Sequence, residues 1–351
     1  MKKHWWKIVG VLLVLYTLII GMIVPLKPGI PEVSPSNGQT GSSITLKVEG
    51  YNTHYKEAKE IRAWLKMDKE RSLIADKIIV QSPNTLEATF AIPKNLPSDK
   101  KVVPLALIID NEVDGASVLP SAVFITQKNI QKEMGEALWK NTPVSDLHEY
   151  KGMAFPYRNI LAETIRNTYF HVSLWFGMFL LLIGSIVYSF KYLRKFRVED
   201  DLRSKSLTGV AVVFGLLGCA TGAIWAKNTW GTYWTTDVKL NMAAVAILIY
   251  LAYFVLRGSF RDETKKARIG AVYNIFAFAA MFPLLFVIPR LTDSLHPGNG
   301  GNPGLGGEDL DNTLRMIFYP SIIGWTLIGL WMANLMYRTD LLQYRVLEDD
   351  Y

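Results

Sequence analysis

The hydrophobic and polar positions of this chain divide it into long apolar windows and one long polar stretch. A helix of roughly 20 apolar residues crosses the ~30 Å core of a bilayer. Windows of that kind cover residues 5–24, 168–190, 207–226, 238–256, 269–289 and 314–337. The pattern predicts a mainly α-helical fold, a six-helix polytopic membrane bundle whose permanent partner is the lipid bilayer.

The polar stretch between the first two windows, residues 28–150, is long enough to be a domain of its own. Apolar residues alternate with polar ones along three runs, and turn-forming residues lie close to these runs. The alternating residues are Ile44, Leu46 and Val48, then Leu86, Ala88, Phe90 and Ile92, then Leu105, Leu107 and Ile109. The pattern predicts an inserted extracytoplasmic β-sandwich-like domain with antiparallel strands, in which His54 and His148 are isolated, solvated side chains.

These elements define four predicted segments. They are a first transmembrane anchor (1–27), the β-rich domain (28–150), a five-helix membrane domain (151–337) and a cytoplasmic tail (338–351). A cleaved signal peptide is the alternative for the first segment, because basic residues precede its apolar run. Residues 21–25 lack a small-x-small cleavage site, so the sequence favours an uncleaved anchor.

Basic residues at the ends of the windows predict the orientation, since Lys and Arg in short loops remain preferentially cytoplasmic. Three lysines lie before or in the first turn of the first window, and two later loops on the same side are strongly basic. The basic residues are Lys2, Lys3 and Lys7, then Lys191, Arg194, Lys195, Arg197, Arg203 and Lys205, then Arg257, Arg261, Lys265, Lys266 and Arg268. Both termini are therefore predicted to be cytoplasmic. The net charge of +7 then reflects topology and indicates no nucleic-acid partner.

Several function classes are disfavoured by what the chain lacks. Cys219 is the single cysteine, so neither an internal disulfide nor covalent Cys-x-x-Cys-His haem attachment is possible. Charged residues inside the windows lie close to their ends, Lys7 at the inner end of the first and Lys239 and Arg315 at outer ends, which argues against an ion-driven transporter. No phosphate-binding loop is present, so any ATP hydrolysis would fall to a partner. No catalytic constellation is visible either, and we expect the protein not to be an enzyme.

The candidate chemistry lies at the predicted outer face. Residues 230–237 read Trp-Gly-Thr-Tyr-Trp-Thr-Thr-Asp between two windows, while His171 opens the second window and His296 precedes the sixth. Flat aromatic rings and neutral imidazoles are what a haem group requires. Trp175 lies one helical turn after His171, where its ring can pack beside that ligand. An interfacial aromatic belt is the alternative for the tryptophans, and a helix-dipole partner the alternative for Asp237.

Residues 230–237 closely resemble the W-G-x-x-W-x-W-D signature of the haem-handling proteins of cytochrome c biogenesis. With six windows and one histidine opening the second and another before the sixth, residues 159–337 resemble the CcmC family of haem exporter subunits. The resemblance implies non-covalent, transient binding of haem b at the outer face, with His171 and His296 as axial metal ligands. The remaining cofactor-binding residues it implies are Trp175, Trp230, Gly231, Tyr233, Trp234 and Asp237.

The same resemblance implies the partners and the location. Haem would be delivered to a membrane-anchored haem chaperone, in the company of the ABC-transporter subunits of the cytochrome c maturation system, in the bacterial cytoplasmic (inner) membrane. This chain departs from the family pattern in two places: Thr236 replaces the third tryptophan of the signature, and the insertion 28–150 is unusually long.

Two features near the site carry weaker expectations. Arg166, Lys227 and Arg290 are candidate partners of haem propionates or, alternatively, interfacial anchors. The glycine-rich run 297–307 predicts a flexible connector that lets His296 move away when haem leaves, or only an unstructured link.

Two other functions remain open. One is a CcsA-type haem-handling subunit of the other cytochrome c assembly system, which shares the tryptophan signature but usually has more spans and a further histidine pair. The other is a membrane anchor for the β-rich domain without haem. A haem-containing membrane oxidoreductase is disfavoured, because no window holds a histidine deeper than its first turn.

Overall fold

The computed structural model describes residues 4–139, 144–159, 161–296 and 310–349. Lys2, Lys3 and the glycine-rich run 297–307 lie outside these ranges. The chain divides into two compact units, one comprising Met1–Val24 and Glu163–Tyr351, the other Pro25–Ala162. The first unit is helical and the second is rich in strands, so each is described by itself.

The described residues contain six helical segments long and apolar enough to cross a membrane, and each overlaps one predicted window. The helices are α1 (Trp5–Ile23), α2 (Lys132–Leu138), α3 (Ser173–Lys195), α4 (Val198–Trp230), α5 (Val238–Gly258), α6 (Glu263–Phe282), α7 (Ile288–Leu291) and α8 (Asn312–Asp349). A wide helical turn, Thr168–Val172, leads into α3, and a second, Pro283–Val287, joins α6 to α7. The prediction of six spans is confirmed.

Helix α4 runs beyond the predicted window 207–226 at both ends. Its first turn carries acidic residues, including Asp201, which the positive end of the helix dipole favours. Its other end is closed by Gly231, whose φ of +79° suits glycine at the end of a helix. Trp230 therefore lies on a helix and not in a loop, which fixes the direction of its ring.

Small and polar residues allow the membrane helices to pack closely. A Cβ added at Gly10 of α1 would lie 2.9 Å from Leu327 Cβ of α8, so the two backbones approach directly. The buried Asn274 side chain of α6 donates hydrogen bonds to Ser185 Oγ (2.7 Å) and Ser189 Oγ (3.0 Å) of α3. These contacts hold the bundle around one apolar core, which includes Met178, Leu181, Val210, Phe214, Ile247 and Tyr250.

The second unit contains nine strands among its described residues. They are β1 (Gly29–Ser34), β2 (Asn37–Gln39), β3 (Ser43–Tyr51), β4 (Ile61–Lys66), β5 (Ser72–Ile74), β6 (Lys77–Ser82), β7 (Thr85–Ala91), β8 (Val102–Asn111) and β9 (Gly115–Thr126). They form a four-stranded sheet in the order β1-β3-β7-β6 and a five-stranded sheet in the order β2-β9-β8-β4-β5. Both sheets contribute to one hydrophobic core.

The predicted alternation is confirmed along β3, β7 and β8, where the apolar residues of each run are buried. The expectation of a purely antiparallel arrangement is wrong at one edge, since β2 pairs in parallel with β9. Strand β2 has only three residues, too few for a recognisable alternation.

Candidate functional site

The helical unit contains a partly open cavity of about 280 Å³ beside α3, α4 and α5. This volume lies near the lower end of the range of pockets that hold small molecules and cofactors. Most of its wall is apolar or aromatic, and both predicted histidines reach it. The lining residues used below are His171, Trp175, Trp234, Lys239, Phe286 and His296.

His171 lies on the wide turn that precedes α3, and α4 fixes the orientation of its ring. The Nδ1 atom of His171 is 2.9 Å from the Gly218 carbonyl oxygen and 3.1 Å from Thr221 Oγ1. A carbonyl oxygen can only accept a hydrogen bond, so Nδ1 carries the proton and Nε2 keeps its lone pair. A histidine held in this way is prepared to bind a metal through Nε2.

Two glycines of α4 make room for the two rings on the neighbouring helix. A Cβ at Gly222 would lie 2.8 Å from His171 Cε1, and one at Gly218 would lie 2.9 Å from Trp175 Cε2. The His171 and Trp175 rings are 6.3 Å apart, edge to face. Gly218 and Gly222 are four residues apart, as are His171 and Trp175, so one face of α4 receives both rings.

If the cavity holds haem with His171 as a ligand, as the resemblance implies, Gly222→Ala should weaken haem retention by about tenfold. Its methyl group displaces the His171 ring from its hydrogen bonds, and the partners of a metal ligand typically contribute 10–100-fold to affinity. The measurement is the haem-to-protein ratio of the purified chain. Gly184→Ala on α3 is the matched control, since its Cβ would meet Leu207 Cδ1 at an ordinary 3.4 Å. Equal retention in both variants would contradict this role of Gly222.

His296 is oriented by Asp237, which lies immediately before α5. The Nδ1 atom of His296 is 3.2 Å from Asp237 Oδ1. The other carboxylate oxygen, Oδ2, accepts hydrogen bonds from Ser294 Oγ (2.8 Å) and the Leu295 amide (2.7 Å). Asp237 also caps α5 by accepting a 2.9 Å hydrogen bond from the Lys239 amide. One buried carboxylate thus joins the start of α5 to the segment that carries His296.

The electrostatics of this pair favour a charged aspartate and a neutral histidine. Burial alone would raise the pKa of Asp237, but hydrogen bonds from Ser294 and Leu295 and the nearby His296 hold it below its ordinary value. Burial lowers the pKa of His296, and the Lys239 ammonium group acts in the same direction. Together these two effects outweigh Asp237, which raises the pKa of His296. His296 is therefore a neutral imidazole at pH 7, the form that binds iron.

Aromatic rings from the end of α4 surround His296. The Trp230 ring centroid lies 5.1 Å from that of His296, and the Trp225 centroid lies 5.7 Å from it. The two tryptophan rings pack edge to face at 5.0 Å. Trp230 thus supports His296 and is not among the residues lining the cavity. The contact of Trp225 with His296 is one that the sequence did not indicate.

The other signature residues occupy different positions. Trp234 lines the cavity and donates a hydrogen bond from Nε1 to Asn241 Oδ1 at 3.2 Å. Tyr233 is 60% exposed and does not reach the cavity, whereas Gly231 ends α4. The structure therefore brings His171, Trp175, Trp234 and His296 together around the cavity and places Trp230 and Asp237 behind His296.

The cation at the cavity wall is Lys239, which sequence reasoning had noted only as a charge at the end of a window. Arg166 is engaged elsewhere, donating hydrogen bonds to the Gly21 and Val24 carbonyls at the end of α1. Lys227 donates to the Gly231 carbonyl at 2.8 Å. Neither of these two, nor Arg290, is among the lining residues.

Comparison with known proteins identifies the family of the helical unit. The family model described as CcmC, heme exporter protein C, matches residues 149–350. The chain is 26% identical to the heme exporter protein C of Bradyrhizobium diazoefficiens over 184 residues, 52% of this chain and 69% of the relative. It is 24% identical to that of Haemophilus influenzae over 145 residues, 41% and 58% of the two chains.

A shorter match connects the chain to the second haem-handling group. The cytochrome c biogenesis protein CcsA of Pelargonium hortorum is 31% identical over 93 residues, 26% of this chain and 29% of that protein. The family match, in contrast, covers more than half of this chain and includes every cavity-lining residue. The chain belongs to the CcmC, heme exporter protein C, family.

Proposed function

We propose that the helical unit binds haem b in the cavity, with His171 and His296 as axial ligands, and releases it to a membrane-anchored haem chaperone for cytochrome c maturation. The observation that carries the proposal is that both histidines line one cavity and that each has its Nδ1 atom engaged by an acceptor. Haem supplies an iron with two open axial positions, which two Nε2 atoms can occupy.

The other lining residues fit the remainder of a haem group. Trp175, Trp234 and Phe286 offer aromatic surface to the faces or edge of the macrocycle. Lys239 offers a cation to a propionate, where charge-assisted hydrogen bonds are strongest. The chain has no Cys-x-x-Cys-His motif for covalent haem attachment, because Cys219 is the single cysteine. We therefore propose that the cargo is held non-covalently and can leave again.

The wider setting completes the proposal. The chain is a carrier and not an enzyme, lies in the bacterial inner membrane with both termini cytoplasmic, and works with the ABC-transporter subunits of its maturation system. Its segments are the anchor 1–27, a sandwich-like extracytoplasmic domain 28–150, the haem-handling domain 151–337 and the tail 338–351. The family match and the basic residues at the predicted cytoplasmic ends support this organisation.

The CcsA-type alternative is favoured by the match to the Pelargonium protein, but that match covers 26% of the chain. A further histidine pair within the spans has no counterpart here, since the chain has five histidines and His171 is the one within the spans of the described residues. A pure anchor would not need two oriented imidazoles at one cavity.

Absorption spectra of the detergent-purified chain test the proposal. We expect a low-spin, bis-imidazole haem spectrum in the wild type. His171→Ala and His296→Ala should each change the spectrum and lower haem retention by at least about tenfold, because each removes an iron ligand whose supporting partners alone are worth that much. His54→Ala, in the strand-rich unit, is the control. An unchanged spectrum in both cavity variants would refute the two-ligand site.

A further inference from the structure

The strand-rich unit contains a groove of about 790 Å³ beside the start of β9. Its size lies within the range of pockets that hold cofactors. The lining residues that matter here are Lys27, Val118, His148, Tyr150, Tyr157 and Arg158. The groove thus combines one imidazole, two phenol rings, an exposed apolar strand residue and two cationic side chains, and two carboxylates, those of Asp114 and Glu149, also line it.

His148 is held in a fixed orientation by a fully buried carboxylate. The His148 backbone amide donates to Asp110 Oδ1 at 2.7 Å, and its Nδ1 atom is 2.8 Å from Asp110 Oδ2. Arg62 Nε also donates to Asp110 Oδ2, at 3.1 Å, so the carboxylate is ionised and can only accept. Nδ1 of His148 therefore carries the proton and Nε2 keeps its lone pair, while 46% of the side chain is exposed.

The aromatic wall of the groove is also fixed. The Tyr157 ring stacks on Tyr51 with centroids 5.5 Å apart and an interplanar angle of 27°. The same ring lies against the backbone of Gly29, where an added Cβ would clash with Tyr157 Cδ1. Val118, 51% exposed, adds apolar surface from β9. A flat, apolar ligand can pack here without rearranging the wall.

We propose that this groove is a second haem site, with His148 as its axial ligand and Lys27 and Arg158 beside the propionates. The inference rests on the proposed haem-handling function. The proposed ligand His148, its partner Asp110 and Val118 precede residue 149, where the family match begins, whereas Tyr150, Tyr157 and Arg158 lie within the matched residues. The ligand therefore lies outside what the chain shares with its family, and the site as a whole lies only partly within it. It would give this chain a second position for the cargo.

A haem iron fits the groove better than a free metal ion does. A protein-bound metal ion generally needs at least three protein ligands, and no group of three or more His, Cys, Asp or Glu side chains suited to a metal occurs among the described residues. Haem iron is already held by its macrocycle, so a single histidine suffices.

The chain contains a matched control for the ligand. The His54 amide donates to Asp114 Oδ2 at 2.9 Å, and His54 Nδ1 lies 2.9 Å from Asp114 Oδ1. The His54 side chain is 49% exposed. The two histidines are thus oriented in the same way and equally accessible. The groove is lined by Asp114, the partner of His54, but not by His54 itself.

The experiment is a titration of the full-length His171→Ala/His296→Ala variant with hemin, followed by the Soret band. We expect one equivalent to bind. Adding His148→Ala should weaken that binding by at least about tenfold, as expected when an iron ligand is lost. Adding Val118→Trp, which fills the groove from an exposed strand position, should have a similar effect, whereas adding His54→Ala should leave the affinity unchanged.

Two results would overturn the inference. One is that the double variant binds no hemin. The other is that His54→Ala and His148→Ala lower the hemin affinity equally, which would indicate ligation by any exposed histidine. Haem binding by the wild-type chain distinguishes a failure of the groove proposal from a failure of the proposed membrane site. If His171→Ala and His296→Ala each lose haem, and the double variant binds no hemin in the groove, the proposed function is intact and only the groove proposal fails. One equivalent bound identically by the wild type and the double variant, and lost with His148→Ala, would refute the membrane site and retain the groove.

Discussion

Replacing Asp237 with alanine is expected to lower haem retention by about 10–100-fold, the usual effect of removing the partner that orients a metal-binding histidine. The carboxylate contacts His296 Nδ1, Ser294 Oγ and the Leu295 amide, so its loss releases the whole segment that carries the proposed ligand. The measurement is the haem-to-protein ratio together with the proportion of low-spin haem in the absorption spectrum.

Asp237 also caps α5, and a control must separate that role from ligand orientation. Asp262 caps α6 in the same way, accepting a 3.0 Å hydrogen bond from the Lys265 amide. Asp262→Ala removes a cap worth about 1 kcal/mol without touching the cavity, so it should lower stability and leave haem retention unchanged. Asp237→Asn keeps an N-capping side chain but loses the charge, and should fall between alanine and wild type. Equal haem retention in all three variants would show that Asp237 does not orient the ligand.

The helices and the main strands were predictable because each depends on a local pattern. A run of about 20 apolar residues has few alternatives to a membrane helix, and the three alternating runs of the polar stretch became the buried faces of β3, β7 and β8. The ends of α4 were not predictable in this way. They depend on acidic residues at the first turn and on the positive φ of Gly231, which hydropathy does not measure.

The composition of the candidate site was only partly visible in the sequence. His171, Trp175, Trp234 and His296 do line one cavity, but Trp230 supports His296 from behind because α4 continues through it. Lys239 lies on the first turn of α5, and nothing in a hydropathy pattern distinguishes a lysine that faces a cavity from one that anchors an interface.

One signal in the sequence could have located part of the cavity. Gly218 and Gly222 have the same four-residue spacing as His171 and Trp175, and each glycine receives one ring. Small residues at this spacing are common wherever membrane helices approach closely, so the pattern alone does not identify its partner. The groove beside His148 gave still less signal, because its residues come from segments far apart in the sequence and are assembled only by the fold.

Arg257→Ala is expected to lower the free energy of unfolding by about 3–5 kcal/mol, the cost of leaving a buried charge without its partner. Both Arg257 Nη atoms donate to the two oxygens of Asp201 at 2.7 Å, which joins α5 to α4. The side chains are only 7% and 9% exposed, so water cannot replace the missing guanidinium. Unfolding in mixed micelles with increasing SDS measures the change.

A neighbouring ion pair provides the comparison for this prediction. Lys266 pairs with Glu263 at 2.8 Å on α6, and the Glu263 side chain is 70% exposed, so Lys266→Ala should cost no more than about 1 kcal/mol. The double variant Asp201→Leu/Arg257→Met should regain most of the stability, because apolar side chains of similar volume often replace a buried pair without loss. If Arg257→Ala lowered the free energy of unfolding as little as Lys266→Ala, water or another cation must reach Asp201, and the pair would not be what holds α4 and α5 together.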